Sequence, residues 1–215
     1  MDFLNLPHRT RVQKVVPKNA FDWFTNTKQK KLFADKVHRI TWTHKLSEDT
    51  LNLESKEIKE IQVFRVELKV KEEIQSLLDI IDKAIPYNII FFVDYDDCMY
   101  ISTSVKRHHA INATLSVIDW TFRSGWLSTS ENNYHIVLKN SLDAVYKDFC
   151  VKLTGKPKLL SRSLSEIVKN QQEIKAIKNE IERLKSQITK CKQFNEKVEM
   201  NLAIKEKERA LKELQ

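Results

Sequence analysis

The sequence predicts an α+β protein: a mostly antiparallel sheet with helices on one face, followed by a long C-terminal coiled-coil helix. Three observations support this prediction. Residues 61–70 alternate between apolar and polar side chains, as a half-exposed strand does. Residues 71–85 repeat apolar side chains at helical spacing. From Leu160 onward the chain lacks glycine and proline, and isoleucine recurs every seven residues. We therefore expect a globular domain over 1–157 and a helical coiled-coil tail over 158–215.

Composition excludes several classes of protein. At 215 residues and 41% hydrophobic content, the chain is long enough for one globular domain and an appendage. No apolar run approaches the length of a membrane span, and the N-terminus lacks a secretory signal, so we expect a cytoplasmic protein without membrane contact. Three widely spaced cysteines, Cys98, Cys150 and Cys191, indicate reduced thiols and neither a disulfide framework nor a metal site. With two glycines in the chain, a glycine-rich phosphate loop is excluded.

The net charge of +8 is concentrated at the two ends of the chain. Residues 1–60 contain 12 basic and 8 acidic side chains, residues 61–160 contain 12 of each, and residues 161–215 contain 13 and 9. Basic ends favour contact with an acidic protein or with a nucleic acid backbone. The lysines alternate with acidic residues, however, which is equally typical of an ordinary solvated surface.

The N-terminal quarter is predicted to contain one helix and one strand. Two prolines keep residues 1–20 extended. A helix then begins at Asn26 or Thr27, either of which is a suitable cap, and continues over 28–40. The stretch 40–53 is predicted to be a strand with turns.

The middle of the chain has the clearest pattern. A strand over 61–70 leads into an amphipathic helix over 71–85, which Pro86 ends. Residues 88–104 are predicted to form two strands around a turn at 95–97. The predicted order is therefore β-α-β-β.

The last third of the predicted domain begins with a polar loop over 105–116, which contains His108 and His109. Two strands and a capped helix are expected after it, over residues 117–128, 132–140 and 141–153. Ser141 is the predicted cap of that helix.

A Glu-x-Lys pair, Glu67 and Lys69, ends the predicted strand of residues 61–70. Restriction-type nucleases carry such a pair on one strand face, where the carboxylate holds Mg²⁺ and the lysine positions water or phosphate. Their chemistry needs a further acid, for which Asp49 is the best candidate. The alternative is that Glu67 and Lys69 belong to the solvated face of an antiparallel strand, which Arg65 continues.

Other polar clusters give weaker indications of a site. Asp94, Asp96 and Asp97 are close enough in sequence to bind a divalent cation, but they lack the glycine and distal glutamate of a calcium loop. A hairpin turn is the favoured interpretation. His108 and His109 are adjacent, so on regular structure their side chains point apart. We predict no metal site.

The tail carries the strongest pattern in the chain. Two interleaved sets of apolar residues fill the a and d positions of a heptad: Ile167, Ile174, Ile181 and Ile188 at a, and Ile177, Leu184, Cys191 and Val198 at d. We expect association through Ile167, Ile174, Ile177, Ile181, Leu184, Ile188 and Val198. After Val198 the heptad changes phase, so a bend or a second short helix folding back remains an alternative, as does docking of one long helix on its own domain.

Several segments resemble the bacterial family defined by the domain of unknown function 4391: residues 17–47, 60–69, 117–122 and 190–201. The resemblance covers nearly the whole chain, including the tail. It implies a bacterial cytoplasmic protein encoded beside helicases and DNA methyltransferases, in clusters similar to anti-phage or restriction–modification systems. It supplies no catalytic residues.

Three functional hypotheses follow. The first is a non-catalytic accessory or adaptor subunit without a cofactor, which associates through its tail with itself as a homodimer, with a helicase or methyltransferase subunit, or with both. The second is a metal-dependent nuclease that uses Mg²⁺ with Asp49, Glu67 and Lys69. The third is a basic module that binds DNA without chemistry.

Overall fold

A mixed seven-stranded sheet dominates the computed structural model, which describes residues 4–108, 116–131 and 133–214. The chain divides into two compact units, residues 1–161 and 162–215, called here the sheet unit and the tail. The strands of the described residues are β1 (Arg11–Val15), β2 (Val37–Ser47), β3 (Glu60–Leu68), β4 (Asn88–Tyr95), β5 (Cys98–His108), β6 (Ser116–Arg123) and β7 (Leu127–Ser128). Their order in the sheet is β1-β2-β3-β4-β5-β6, with β7 paired to β5.

Pairing in the sheet is antiparallel except between β3 and β4, which run parallel. Parallel neighbours need a crossover connection, and the helix over Gln75–Ala84 supplies it. The predictions of a mixed α and β fold and of a mostly antiparallel sheet are confirmed.

The helices are α1 (Thr27–Lys36), α2 (Glu48–Leu51), α3 (Gln75–Ala84), α4 (Leu142–Thr154), α5 (Leu164–Lys190) and α6 (Phe194–Leu214). Short 3-10 turns lie at His8–Thr10, Lys18–Phe24, Thr129–Glu131 and Pro157–Ser161. Asn26 caps α1 in a capping box with Gln29, and the Ser141 hydroxyl caps α4 by accepting from the N–H of Ala144. Gly155 ends α4 in the left-handed conformation, with φ 67°.

One face of the sheet packs on α1 and α3. Alternate residues of β3 and β4 point toward these helices and meet apolar side chains such as Phe33, Leu78 and Ile81. The buried set on the two strands is Phe64, Val66, Leu68, Ile89, Phe91 and Val93. The helical period of residues 71–85 therefore identified this face correctly.

The opposite face carries α4, so the prediction that all helices lie on one face is wrong. Phe92 follows Phe91 on β4 and must point to the other side, where its ring lies 6.4 Å from that of Phe149 on α4. The Tyr146 hydroxyl, also on α4, donates to the Ser104 carbonyl at 2.7 Å and lies 2.9 Å from the Thr103 hydroxyl. The crossover helix α3 occupies the first face, and the later helix α4 closes the second.

Several element boundaries differ from the predictions. Helix α1 ends at Lys36 because residues 37–40 join β2, which pairs along its length with β3. Most of the predicted loop over 105–116 lies outside the described residues, but β5 extends through His108 and β6 begins at Ser116. The predicted strand at 132–140 is absent, since residues 133–139 of the described chain have no regular structure.

The tail contains two helices in place of one long helix. Helix α5 ends at Lys190, residues 191–193 are irregular, and α6 packs against α5. The Lys207 ammonium lies 2.6 Å from a Glu180 carboxylate oxygen, and the Asn170 side chain donates to the Leu214 carbonyl at 3.5 Å. These contacts place the end of α6 beside the start of α5, so the two helices form an antiparallel hairpin. No helix within the described residues has the length and apolar character needed to cross a membrane.

Candidate functional site

Alternate residues of four neighbouring strands form a polar surface on the face of the sheet that also carries α4. On β3, Arg65 and Glu67 point to this face because Phe64 and Val66 point to the other. The register sets Arg39 of β2 opposite Glu67, and Glu67 opposite Asp94 of β4. Pairing between the strands thus brings charged residues together from distant parts of the sequence.

Two guanidinium–carboxylate pairs organise this surface. Arg39 donates twice to Glu67, from Nε at 3.0 Å and from Nη2 at 3.1 Å. Arg65 donates from Nε to Asp94 at 2.7 Å. In both pairs the arginine is the more exposed partner and the carboxylate is the more buried one. The carboxylates therefore hold the guanidinium groups in fixed positions at the surface.

Burial and charge act in opposite directions on this surface. Burial raises the pKa of the Asp94 carboxyl, while the hydrogen bond and the positive charge of Arg65 oppose that rise. The hydrogen bond and charge of Glu67 raise the pKa of Arg39. This surface therefore holds Arg39 in its charged form.

A cavity of about 510 Å³ lies over this surface. Its polar lining includes three arginines, Arg11, Arg39 and Arg65, together with side chains that accept or donate hydrogen bonds: Gln13, Thr41 and Glu67. The volume is within the range of about 300–1,000 Å³ that is usual for small-ligand sites. We refer to it as the arginine cavity.

The structure does not bring the three predicted nuclease residues together. Glu67 lines the arginine cavity, but the ammonium of Lys69 donates to the Ala34 carbonyl at 2.7 Å, at the end of α1. Asp49 is exposed on α2, just beyond the Ser47–Glu60 end of the β2–β3 pair. Glu67 lies seven positions along β3 from Glu60, which corresponds to about 23 Å.

Asp96 and Asp97, two of the three clustered aspartates, are ordinary turn residues. Asp96 has a left-handed conformation with φ 50° in the β4–β5 turn, and the Asp97 carbonyl accepts from the N–H of Thr129 at 2.8 Å. The prediction of a hairpin turn is confirmed. The side chains of His108 and His109 lie outside the described residues. Within the described part of the chain, no group of three or more His, Cys, Asp or Glu is arranged to hold a metal ion.

A buried ion pair joins α3 to β5. The Lys106 ammonium lies 3.0 Å from Asp82 Oδ1, and each side chain is 1% exposed. The ammonium also donates to the carbonyls of Asp82 and Ile85, both at 2.8 Å. Burial raises the pKa of Asp82 and lowers the pKa of Lys106, and the attraction between them opposes both shifts. The pair lacks access to solvent, so we assign it a structural role.

In the tail, the predicted heptad residues of α5 lie along its contact with α6. Ile167, Ile174 and Ile181 are buried, and Ile177, Leu184 and Ile188 are half-buried. On α6, Ile204 is the buried residue, and it lies near the level of Ile181 because Glu180 meets Lys207. We call this line of heptad residues on α5 the seam. It predicted association with another chain, but the helix packed against it is α6 of the same chain.

The outward face of α6 is apolar over its first half. Phe194, Val198 and Leu202 are 77%, 42% and 57% exposed. They recur every fourth residue, and each helical residue is rotated by about 100° from the last, so they share one side. Leu202 and the buried Ile204 are about 200° apart on this count, which directs the apolar line away from α5.

The same line continues with basic side chains. Lys205, Arg209 and Lys212 lie at the same angular position on α6 as the apolar residues, and all three are exposed. We call the six residues, Phe194, Val198, Leu202, Lys205, Arg209 and Lys212, the outward face. Its first half is apolar and its second half is basic.

Sequence reasoning found part of these sites and missed part. It singled out Glu67 and Val198 but not Arg39, whose role depends on the register between β2 and β3. It placed Lys106 in a polar loop, although this lysine lies on β5 with its side chain 1% exposed. The four-residue spacing of Phe194, Val198 and Leu202 is visible in the sequence. The heptad of α5, however, predicts contacts on a different side of the tail.

Comparison with known families gives a match over nearly the whole chain. The model of the domain of unknown function DUF4391 matches residues 4–211. The chain belongs to this family. The matched range includes the sheet unit and nearly all of the tail, so both units are part of what the family shares. No curated protein and no solved structure matches the chain.

Proposed function

We propose that this protein is a non-catalytic accessory subunit that binds an acidic amphipathic helix of a partner protein through the outward face of α6. The observation that carries the proposal is the combination of exposed Phe194, Val198 and Leu202 with the basic residues that continue their line. Helix recognition commonly uses apolar anchors at this spacing.

The exposed apolar line supports a protein partner because it has no role inside the hairpin. Phe194 and Leu202 point away from α5, so their side chains contribute little to the packing of the tail. Burying such side chains against another helix removes apolar surface from water, at about 25 cal/mol per Å². Contact with a partner therefore accounts for residues whose exposure is otherwise unfavourable.

The positive charge of the tail favours an acidic partner over a second copy of the same tail. Residues 162–215 contain 13 Lys and Arg against 9 Asp and Glu, and three of the basic residues lie on the outward face itself. Two such faces in contact would repel each other. An acidic helix would neutralise Lys205, Arg209 and Lys212 while its apolar side covers Phe194, Val198 and Leu202.

Within this proposal we place the protein in the bacterial cytoplasm, as part of a DNA-processing or anti-phage defence complex in which the partner is a helicase or a methyltransferase subunit. The resemblance described above supports that setting. The contacts of Glu67 with Arg39 and of Lys69 with Ala34 favour an accessory role over the nuclease alternative, because they occupy the groups that metal and phosphate binding would need.

The experiment compares two pairs of substitutions in the full-length protein. Val198→Gln with Leu202→Gln removes the apolar line, and Val137→Gln with Leu160→Gln removes equally exposed apolar residues of the sheet unit, at 54% and 43% exposure. Partners captured from the native host after nuclease treatment are identified, purified and titrated against each variant. We expect the first pair to weaken binding by roughly tenfold or more, and the second to leave it unchanged.

The outcomes separate the alternatives. Equal binding by the first pair and the wild-type protein contradicts the proposal. Loss of binding in the second pair alone assigns the partner to the sheet unit. Capture that disappears on nuclease treatment identifies DNA, not a protein, as the link. A stable dimer of the wild-type protein that the first pair dissociates identifies a second copy as the occupant.

A further inference from the structure

We infer that the arginine cavity of the sheet unit binds a phosphate group, carried by a ligand of about mononucleotide size. The inference is separate from the proposed role of the tail and uses none of the outward-face residues. It rests on the guanidinium groups of Arg39 and Arg65, which pairing of β2, β3 and β4 brings to one surface.

The strand register sets the two arginines at a fixed separation. Arg39 faces Glu67 and Arg65 faces Thr41, so the arginines are diagonal neighbours across the β2–β3 pair. Diagonal neighbours in a sheet are about 7–8 Å apart, and somewhat closer at their Cβ atoms. Their long side chains can both reach a single anion placed between them over the sheet.

Each guanidinium keeps hydrogen-bond donors for a ligand. A guanidinium has five N–H donors. Arg39 uses two of its donors on Glu67, and Arg65 uses one on Asp94. Glu67 engages Nε and Nη2 of Arg39, which leaves Nη1 for a ligand, and Asp94 engages Nε of Arg65, which leaves both terminal nitrogens of that side chain. A carboxylate behind a guanidinium fixes its orientation in advance, which lowers the entropy cost of binding an anion.

The guanidinium groups and the volume favour phosphate over a simple carboxylate. Arg11, Arg39 and Arg65 all line the cavity, and Arg39 and Arg65 supply the donors described above. Planar guanidinium groups bind phosphate oxygens in pairs. The volume of about 510 Å³ exceeds what a lone phosphate ion fills, which leaves space for a nucleoside beside the hydroxyl of Thr41 and the amide of Gln13.

The test titrates the full-length protein with three probes: inorganic phosphate, adenosine monophosphate and a short single-stranded oligonucleotide. Arg39→Gln and Arg65→Gln each remove a guanidinium while retaining a donor for the neighbouring carboxylate. Arg107→Gln is the matched control, because Arg107 also donates from Nε to a carboxylate, Asp119, at 3.0 Å, but lies outside the cavity. We expect each cavity variant to weaken binding roughly tenfold or more, and the control to bind as the wild-type protein does.

A second measurement requires no variant. In the wild-type protein, adding the bound probe should shift the backbone amide resonances of Gln13 and Thr41 more than that of Arg107. Binding of adenosine monophosphate identifies a free nucleotide as the source of the phosphate, and binding of the oligonucleotide alone identifies a nucleic acid backbone. The inference is overturned if no probe binds, if Arg107→Gln loses as much affinity as the cavity variants, or if the shifts are centred on Arg107.

Discussion

The sheet unit and the tail bury their apolar side chains in different ways. In the sheet unit, helices cover both faces of the central strands, so consecutive residues such as Val63 and Phe64 are both buried. In the tail, α6 packs against α5 and leaves its opposite side exposed. Ile204 of α6 is buried while Leu202, two positions earlier, is largely exposed. The tail therefore leaves a line of apolar side chains exposed along one side of α6.

A periodic pattern in the sequence thus indicates which side chains are buried, but not which chain covers them. The heptad of α5 predicts a helix against it, and the structure places α6 of the same chain there. The apolar line that remains available lies on the far side of α6. The surface that we propose for partner binding is therefore different from the seam that the heptad marks.

The largest effect expected is in the sheet unit, from breaking its buried ion pair. Lys106→Met leaves the Asp82 carboxylate buried without its cation, so we expect the free energy of unfolding to fall by about 3–5 kcal/mol near neutral pH. Urea denaturation monitored by circular dichroism measures the change. Arg107→Met, which breaks the exposed pair with Asp119, should change the free energy by about 0–1 kcal/mol.

The loss of stability in Lys106→Met should also depend on pH. Burial raises the pKa of Asp82 above its unfolded value, so the carboxyl is protonated more readily in the folded variant. The destabilisation relative to the wild-type protein should be smallest below the unfolded pKa, near about 4, and should grow as the pH rises to neutral. A loss of stability that is equal at all pH values contradicts the account of an uncompensated buried carboxylate.

A smaller effect is expected in the tail. Ile181→Ala removes a buried side chain between α5 and α6 and should cost about 2–3 kcal/mol, at the low end for isoleucine, because two helices relax more readily than a closed core. Hydrogen exchange should accelerate over α5 and α6 and stay unchanged in β3 and β4. Ile177→Ala, at a half-buried position, is the matched control with a smaller effect. Faster exchange in β3 or β4 would show that the two units do not unfold separately.

The smallest effect compares the same capping chemistry in the two units. Asn26 with Gln29 and Ser163 with Glu166 both form capping boxes. Changing either cap, Asn26→Ala or Ser163→Ala, should cost about 1 kcal/mol. For Asn26→Ala we expect a lower free energy of global unfolding. For Ser163→Ala we expect faster hydrogen exchange at the start of α5. A global loss from Ser163→Ala argues against separate units.

The two caps should respond differently to acid, because the α5 cap contains the carboxylate of Glu166 and the α1 cap contains the amide of Gln29. The hydrogen bonds from Ser163 lower the pKa of Glu166, so its stabilising effect is present above the unfolded pKa and is lost as the pH falls through the lower folded pKa. The start of α5 should therefore open in acid, whereas the Asn26 cap has no such dependence. Exchange at the start of α5 that is insensitive to acid contradicts this assignment.

Local patterns predicted much of the fold. The alternation over 61–70, the helical period over 71–85 and the Ser141 cap all correspond to elements of the structure. Long-range pairing explains what they did not predict. Residues 37–40 have the pattern of a helix but pair with β3, and the placement of α4 opposite α3 depends on the whole order of strands. In both cases tertiary contacts determine the structure and override the local preference for helix or strand.

The candidate sites were harder to predict than the fold. Glu67 stood out because of its spacing from Lys69, yet its closest contact is with Arg39, 28 positions earlier in the chain. One residue beyond β3, the ammonium of Lys69 instead reaches the Ala34 carbonyl, a contact that no alternation along the strand predicts. Sequence spacing indicates which residues share a strand face only as long as the strand continues.

The most direct test of the central claim asks which chain fills the seam of α5. In protein with Cys98→Ser and Cys191→Ser, Glu180→Cys and Lys207→Cys are introduced together, and an equal mixture of unlabelled and nitrogen-15-labelled chains is oxidised and analysed by mass spectrometry. We predict a disulfide within one chain, and none when Arg209→Cys on the outward face replaces Lys207→Cys. Disulfide-linked peptides of mixed isotope would mean that the seam joins two chains, and would contradict the account.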